Sequence, residues 1–177
     1  VLVTLIAALA RDRVIGSTSG KIPWDFPRDR AFFRAYTAGK WLLLGRRTYG
    51  EMDGWFGDRT PLVLTRDHTF RPPSPAHRPV RSIPSAIDLA RASGVRELVV
   101  CGGAGVYAGA LPFADRLVLT RLELDVRLPG PVCFPDFEAG PAWRLLHREW
   151  WNRETGLPGA RLEVHERLRQ PSPGSRE

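Results

Sequence analysis

The segment IPWDFPRDRAFFRAY, residues 22 to 36, has a spacing from which the rest of the chain can be read. Pro27 suits the first turn of a helix, where its missing N–H would be unpaired in any case. Phe26, Phe32, Phe33 and Tyr36 recur at helical spacing and mark one apolar face of a helix over residues 27–37. Asp29 lies three and four residues before Phe32 and Phe33, which turns it to that same face. A carboxylate aimed at a core needs a partner. A ligand with an amidine-like pair of N–H donors would supply one, through two parallel charge-assisted hydrogen bonds. Burial would raise the pKa of this group, which suits an acid working near neutral pH. The position equally suits a first-turn acid facing the helix dipole, and the residues by themselves leave both readings open.

Outward from this helix, apolar β-rich runs follow one another: VLVTLIAAL, KWLLLG, PLVLTR, ELVVCGG and RLVLTRLEL, then WRLLHREWW and RLEVHERL. The middle runs are continuous rather than alternating, as in strands covered on both faces. Between them lie helical candidates at 27–37, 47–52, 83–93 and 104–111. Ser82 is placed to cap the third, and Gly94 to end it. The alternation predicts an α/β fold, a mainly parallel central sheet with helices on both faces. The last two strands lack an intervening helix, so they form an antiparallel C-terminal edge hairpin. DHTFRPPSPAHRP, residues 67–79, reads as a Pro-rich surface loop.

The 177 residues fit one domain over 1–169, with QPSPGSRE, residues 170–177, as a solvated, flexible tail. Cys101 and Cys133 are too few for a disulfide framework and have no zinc-like spacing, so the expectation is a reduced cytoplasmic protein without a metal. VLVTLIAALA imitates a signal peptide but lacks a positive leading region, and a buried first strand is the favoured reading. No run approaches the ~20 apolar residues of a membrane span. The formal charge is +7, carried almost wholly by arginine, with Lys21 and Lys40 the only lysines. The arginines are scattered rather than blocked, which favours small anionic ligands over nucleic acid. Core-like spacing of the aromatics argues the same way, since a nucleic-acid surface would interleave exposed aromatics with the arginines.

Three further segments carry possible chemistry. In LLLGRRTYGEM a strand runs into Gly45, then Arg46, Arg47 and Thr48 open a helix, an arrangement suited to an anion, or a solvated strand end with two incidental arginines. Thr65 and Arg66 lie at the carboxyl edge of the next strand, where open α/β sheets bind ligands. Residues 103–108 fit G-x-G-x-x-A, and Glu123 falls where a ribose-binding acid is sought. That motif belongs to a first strand–helix unit and here comes late, so a standard dinucleotide fold is not expected. The glycines admit close approach to a phosphate or simply make a tight turn. His68, His77, His147 and His165 share no motif spacing and read as surface residues. G-x-S-x-G, P-loop and H-E-x-x-H motifs are absent, which removes support for hydrolase and kinase readings.

Taken in order, these pieces resemble the dihydrofolate reductase family. LIAALARDRVIG resembles its opening strand and active-site loop, and IPWDFPRDRAFF its W-x-x-P-x-D segment. LLLGRRTYGEM, RTPLVLTRD, VVCGGAGVY, RLVLTRLEL and CFPDF follow in the family's order, so the resemblance spans about residues 3 to 168. It implies reduction of 7,8-dihydrofolate by NADPH, with hydride to C6 and a proton to N5, in a monomer. Asp29 would be the sole active-site carboxylate, holding the pterin 2-amino group and N3–H, supported by Thr120. Ile6, Ala7, Phe33, Met52 and Phe56 would line the substrate pocket, and Arg59 would pair with the glutamate α-carboxylate. The cofactor would meet Ala8, Ile15, Gly16 and Ile22, the last with Trp24 in a loop that closes over the nicotinamide. Gly45, Arg46, Arg47, Thr48, Leu64, Thr65 and Arg66 would lie near the adenosine phosphates and favour NADPH over NADH. Cys101, Gly103, Ala104, Gly105, Val106 and Tyr107 would flank the pyrophosphate, with Gly102 and Gly103 joined by a cis peptide. The chain departs from the bacterial pattern in a longer GSTSGKIPW loop, in Pro131 where an acid helps hold that loop closed, and in Gly105 where a basic residue is common. A reductase of the same fold acting on another heterocycle, as in riboflavin-pathway relatives, is the alternative; Asp29 and Arg59 speak against it.

Overall fold

The computed structural model of the chain describes residues 1–20, 22, 24–140, 142–151 and 158–168. The expected tail at 170–177 lies outside the described residues. In chain order the elements are β1 (Leu2–Leu9), β2 (Val14–Ser17), α1 (Pro27–Thr37), β3 (Trp41–Gly45), α2 (Arg46–Glu51), β4 (Thr60–Leu64) and β5 (Arg78–Val80). There follow α3 (Ile83–Ala92), β6 (Glu97–Gly102), α4 (Ala104–Ala110), β7 (Arg116–Leu122), β8 (Pro131–Cys133), β9 (Trp143–Trp151) and β10 (Ala160–Arg167). Eight strands form one sheet in the order β5-β4-β3-β6-β1-β7-β10-β9. Strand β1 runs parallel to β6 and β7 at its centre, and β10 and β9 pair antiparallel at one edge. The fold is thus α/β with a mainly parallel sheet and the antiparallel edge hairpin expected from the sequence.

The continuous apolar runs have a simple cause. Along each central strand, alternate side chains enter cores on opposite faces of the sheet. Leu5, Leu43, Leu98, Val100, Leu117 and Leu119 face the core that holds Ile83 and Ile87 of α3 and Val106 of α4. Ile6, Leu42, Leu44, Val99 and Val118 face the other, with Phe32, Phe33 and Tyr36 of α1 and Tyr49 of α2 packed on it.

Helix α1 has Pro27 in its first turn and no side-chain cap, so its position depends on contacts along its length. Near its start Arg28 pairs with Glu149 of β9 at 2.8 Å, and near its end the Tyr36 hydroxyl donates to Glu97 of β6 at 2.7 Å. Burial and the neighbouring Glu97 push that phenol up to about 12. These two ties fix the helix across the sheet face. Helix α3 starts as the sequence predicts, with Ser82 and Ser85 bonding reciprocally at its cap.

The helices expected at 47–52, 83–93 and 104–111 occupy 46–51, 83–92 and 104–110, the last followed by a 3-10 turn over Leu111–Phe113. The Pro-rich segment is a loop only as far as residue 77. Its end forms β5, where Leu62 pairs with Arg78 and Leu64 with Val80, and Pro79 is tolerated on a sheet edge. The antiparallel pair β2–β8 was not foreseen, since strands of four and three residues are too short for a hydrophobic period. Two histidines read as surface residues are partly buried. His77 Nδ1 lies 2.7 Å from the Tyr49 hydroxyl, and His165 Nε2 lies 3.3 Å from Glu163.

Candidate active site

Asp29 occupies the first turn of α1, half-buried against the sheet. Burial raises its pKa above the ordinary carboxylate value, and a hydrogen bond from the Thr120 side chain lowers it by less. Thr120 is itself buried in β7, opposite Ala8 of β1 and Leu162 of β10. The helix thus delivers one carboxylate to the middle of the sheet, where a hydroxyl receives it.

Around this pair the sequence-predicted apolar residues divide by strand parity. Ile6, Phe33, Met52 and Phe56 share the core on the α1 face, whereas Ala7 packs on the opposite core. Phe33 stacks on Trp55 with ring centroids 5.2 Å apart, and Phe56 stacks on Tyr49 at 5.1 Å. Trp24 borders the same cluster, and Ile22 is exposed.

Arg59 closes the far end of this cluster. Its Nε donates to the Thr37 hydroxyl at 2.9 Å and Nη2 to the Arg34 carbonyl at 2.6 Å, with Asp58 3.0 Å from Nη1. Its guanidinium carbon stands 4.3 Å from the centre of the Trp55 ring. A cation held this firmly is oriented before any ligand arrives. Trp55 and Thr37 were missed in the sequence. The available signal was the tract DGWFG, in which Trp55 stands beside Phe56 just after Met52.

The carboxyl ends of β3 and β6 meet at glycines. A Cβ on Gly45 would lie 3.2 Å from Val106, with the Gly102 carbonyl and Gly103 amide at 3.9 Å. A Cβ on Gly103 would touch the Thr48 hydroxyl at 3.5 Å, and at Gly105 it would meet open space. Gly102 adopts φ +104, and the peptide to Gly103 is cis, as the resemblance implies. Ala104 begins α4. Leu64 ends β4 opposite Gly45, Thr65 is buried beyond it, and Arg66 is exposed. Arg46 pairs with Asp67 at 2.5 Å and covers the Phe70 ring, while Arg47 donates to the Thr18 carbonyl at 2.9 Å. Asp67 is held down to about 2, chiefly by hydrogen bonds from Thr69, with Arg46 adding to the effect.

Other predicted cofactor residues lie inward of that edge. Tyr107 is buried and donates to the Ile6 carbonyl at 2.7 Å, which ties α4 to β1. Cys101 is buried, and burial pushes its thiol up, so it is not a thiolate nucleophile at neutral pH. Ile15 packs against the core that includes Val106 of α4, and Gly16 lies in β2 opposite Val132. Among the described residues there is no metal-binding group of three or more His, Cys, Asp or Glu, and no helix is long and apolar enough to cross a membrane.

The chain is similar in sequence to known proteins. The sequence profile described as dihydrofolate reductase matches residues 2–158. Dihydrofolate reductase type 3 of Salmonella typhimurium is 37% identical over 147 residues, covering 83% of this chain and 86% of that protein. Dihydrofolate reductase of Mycobacterium tuberculosis (strain CDC 1551 / Oshkosh) is 36% identical over 158 residues, covering 88% and 87%. The HdrB dihydrofolate reductase of Haloferax volcanii is 37% identical over 142 residues, covering 77% and 72%. With the sheet order, the glycine junction and a helix-borne carboxylate already in place, these matches make the chain a member of the dihydrofolate reductase family.

Proposed function

We propose that the protein reduces 7,8-dihydrofolate to 5,6,7,8-tetrahydrofolate with NADPH. The observation that carries this reading is Asp29, a half-buried carboxylate of raised pKa, backed by Thr120 and bordered by one apolar cluster. A flat heterocycle with an amidine-like edge satisfies that carboxylate with two parallel hydrogen bonds. Phe33, Met52 and Phe56 would enclose the ring and the aminobenzoyl group, with Ile6 below. Arg59 would receive the glutamate α-carboxylate, its donors pre-set by Thr37 and Arg34.

The residues present fit a dinucleotide. Gly45, Gly102 and Gly103 leave bare backbone between two neighbouring strand ends, and exposed arginines stand around it. Gly103, Ala104, Gly105 and Thr48 would hold the pyrophosphate, and Arg46 and Arg66 the adenosine end. When bound, NADPH supplies a hydride to C6 of the substrate. The chain's own part is to orient the pterin through Asp29, to exclude water with the loop of Ile22 and Trp24, and to favour a proton at N5. The negative charge of Asp29 in a low-dielectric site provides that last effect.

Purified protein mixed with NADPH and dihydrofolate should consume the two in equal amounts and form tetrahydrofolate. Consumption of NADPH with an aminopyrimidine substrate and none with dihydrofolate would instead support the riboflavin-pathway alternative.

A further inference from the structure

The loop after β2 is fastened from two sides at one residue. The Thr18 amide donates to the Gly130 carbonyl at 3.0 Å, and the Thr18 carbonyl accepts from Arg47 Nη2 of α2 at 2.9 Å. Arg47 in turn pairs with Glu51 one turn along the helix, 3.3 Å from Nε to Oε1. Two glycines admit this close seating. Gly20, at φ +89, lies so near the Arg47–Glu51 pair that a Cβ there would collide with both side chains. Gly130, at φ +62, would bring a Cβ to 2.7 Å from the Thr18 hydroxyl. Pro131 offers no carboxylate to receive loop amides, and the carbonyl of Gly130 does so instead.

We propose that Arg47 is a positioning residue that fixes the turn at Thr18 and Gly20, the described start of the loop that leads to Trp24, in the role for which Pro131 has no side chain. The inference rests on the reading of that loop as the cover of the dihydrofolate site. It separates the two neighbouring arginines by what they touch: Arg46 is turned to Asp67 and Phe70, and Arg47 to the loop. Arg47 acts before any ligand is present, through a charged donor on a backbone carbonyl, a class of bond stronger than a neutral one. Glu51 assists by holding the guanidinium in position.

Amide hydrogen exchange of the full ligand-free chain, resolved by NMR, tests this. In Arg47→Gln the Thr18 and Gly20 amides should exchange about tenfold faster, the scale of one lost charge-assisted bond. Core amides such as Val99 and Leu119 should not change. Arg47→Lys, which keeps a cationic donor, should restore part of the protection, and Arg46→Gln should leave Thr18 unchanged. Should the core amides of Arg47→Gln also lose protection, Glu51→Gln decides the matter, with faster exchange expected at Thr18 and Gly20 and none in the core. Equal Thr18 exchange in wild type and Arg47→Gln, with an intact core, would overturn the proposal. The measurement uses no substrate, so it succeeds or fails independently of the dihydrofolate assignment.

Discussion

Thr120, buried in the parallel strand β7, gives a hydrogen bond to the Asp29 carboxylate on α1, and burial of that carboxylate outweighs the bond in setting its proton affinity. The pair joins the helix read first in the sequence to the centre of the sheet. It also places a cost in the folded state. A carboxyl whose folded pKa is raised contributes its full stability below the ordinary carboxylate value, and loses it as pH rises through the folded pKa.

Asp29→Asn should therefore be more stable than the wild type at pH 7, with a higher Tm. The two proteins should converge at low pH, where both chains carry an uncharged group. Thermal melts across the pH range check this. A lower Tm for the variant at neutral pH would show that the charge is stabilised by partners other than Thr120.

Thr120→Val keeps the volume of the strand residue and removes the hydroxyl. Its bond lowers the Asp29 pKa, so the variant should move the pH midpoint of kcat/KM upward. The profile between about pH 5 and 9 reports it. An unmoved midpoint would separate Thr120 from the chemistry.

Arg59, in its proposed role toward the glutamate carboxylate, is tested through the residue that orients it. Thr37→Val removes the acceptor 2.9 Å from Arg59 Nε and leaves the charge in place. The KM for dihydrofolate should rise roughly tenfold with kcat little changed, the scale of one misplaced charge-assisted bond. A substrate analogue lacking the glutamate should bind both proteins equally.

Glu163 on β10 is 1% exposed and lies on the sheet face away from Asp29, its strand partner being Leu119 rather than Thr120. Burial alone would raise its pKa, but hydrogen bonds from Arg161, His165 and Arg148 and the charge of Arg121 outweigh it, and the net shift is downward. A lowered folded pKa makes the contribution present above the ordinary carboxylate value and lost as pH falls through the folded one. Glu163→Gln should cost about 2 kcal/mol at pH 7, allowing for the partial exposure of the arginines, without changing kcat. Urea unfolding should show the difference closing below about pH 4.

The sequence carried the framework because the framework has period and length. The helix from Pro27 to Thr37 has its proline start and aromatic stripe, and α3 has its serine cap. Leu42–Leu44 and Leu98–Val100 are buried on both faces and so read as unbroken apolar runs. What lay beyond reach has neither property. The β2–β8 pair depends on contact between segments more than 100 residues apart, Val14 with Cys133. Trp55 joins the candidate site through its stack on Phe33 and its contact with Arg59, which no spacing rule encodes. Arg46 and Arg47 are adjacent and chemically identical, and only their surroundings send one to Asp67 and the other to Thr18.

The most direct test of the account is the rate of NADPH oxidation by dihydrofolate in wild type and Asp29→Asn across the pH range. A loss of roughly 10²–10⁴ is expected in the variant at neutral pH, on the scale of a lost acid–base group. The gap should narrow as the pH falls and solvent protonates the substrate. Equal rates at neutral pH in a folded variant would contradict the role given to Asp29.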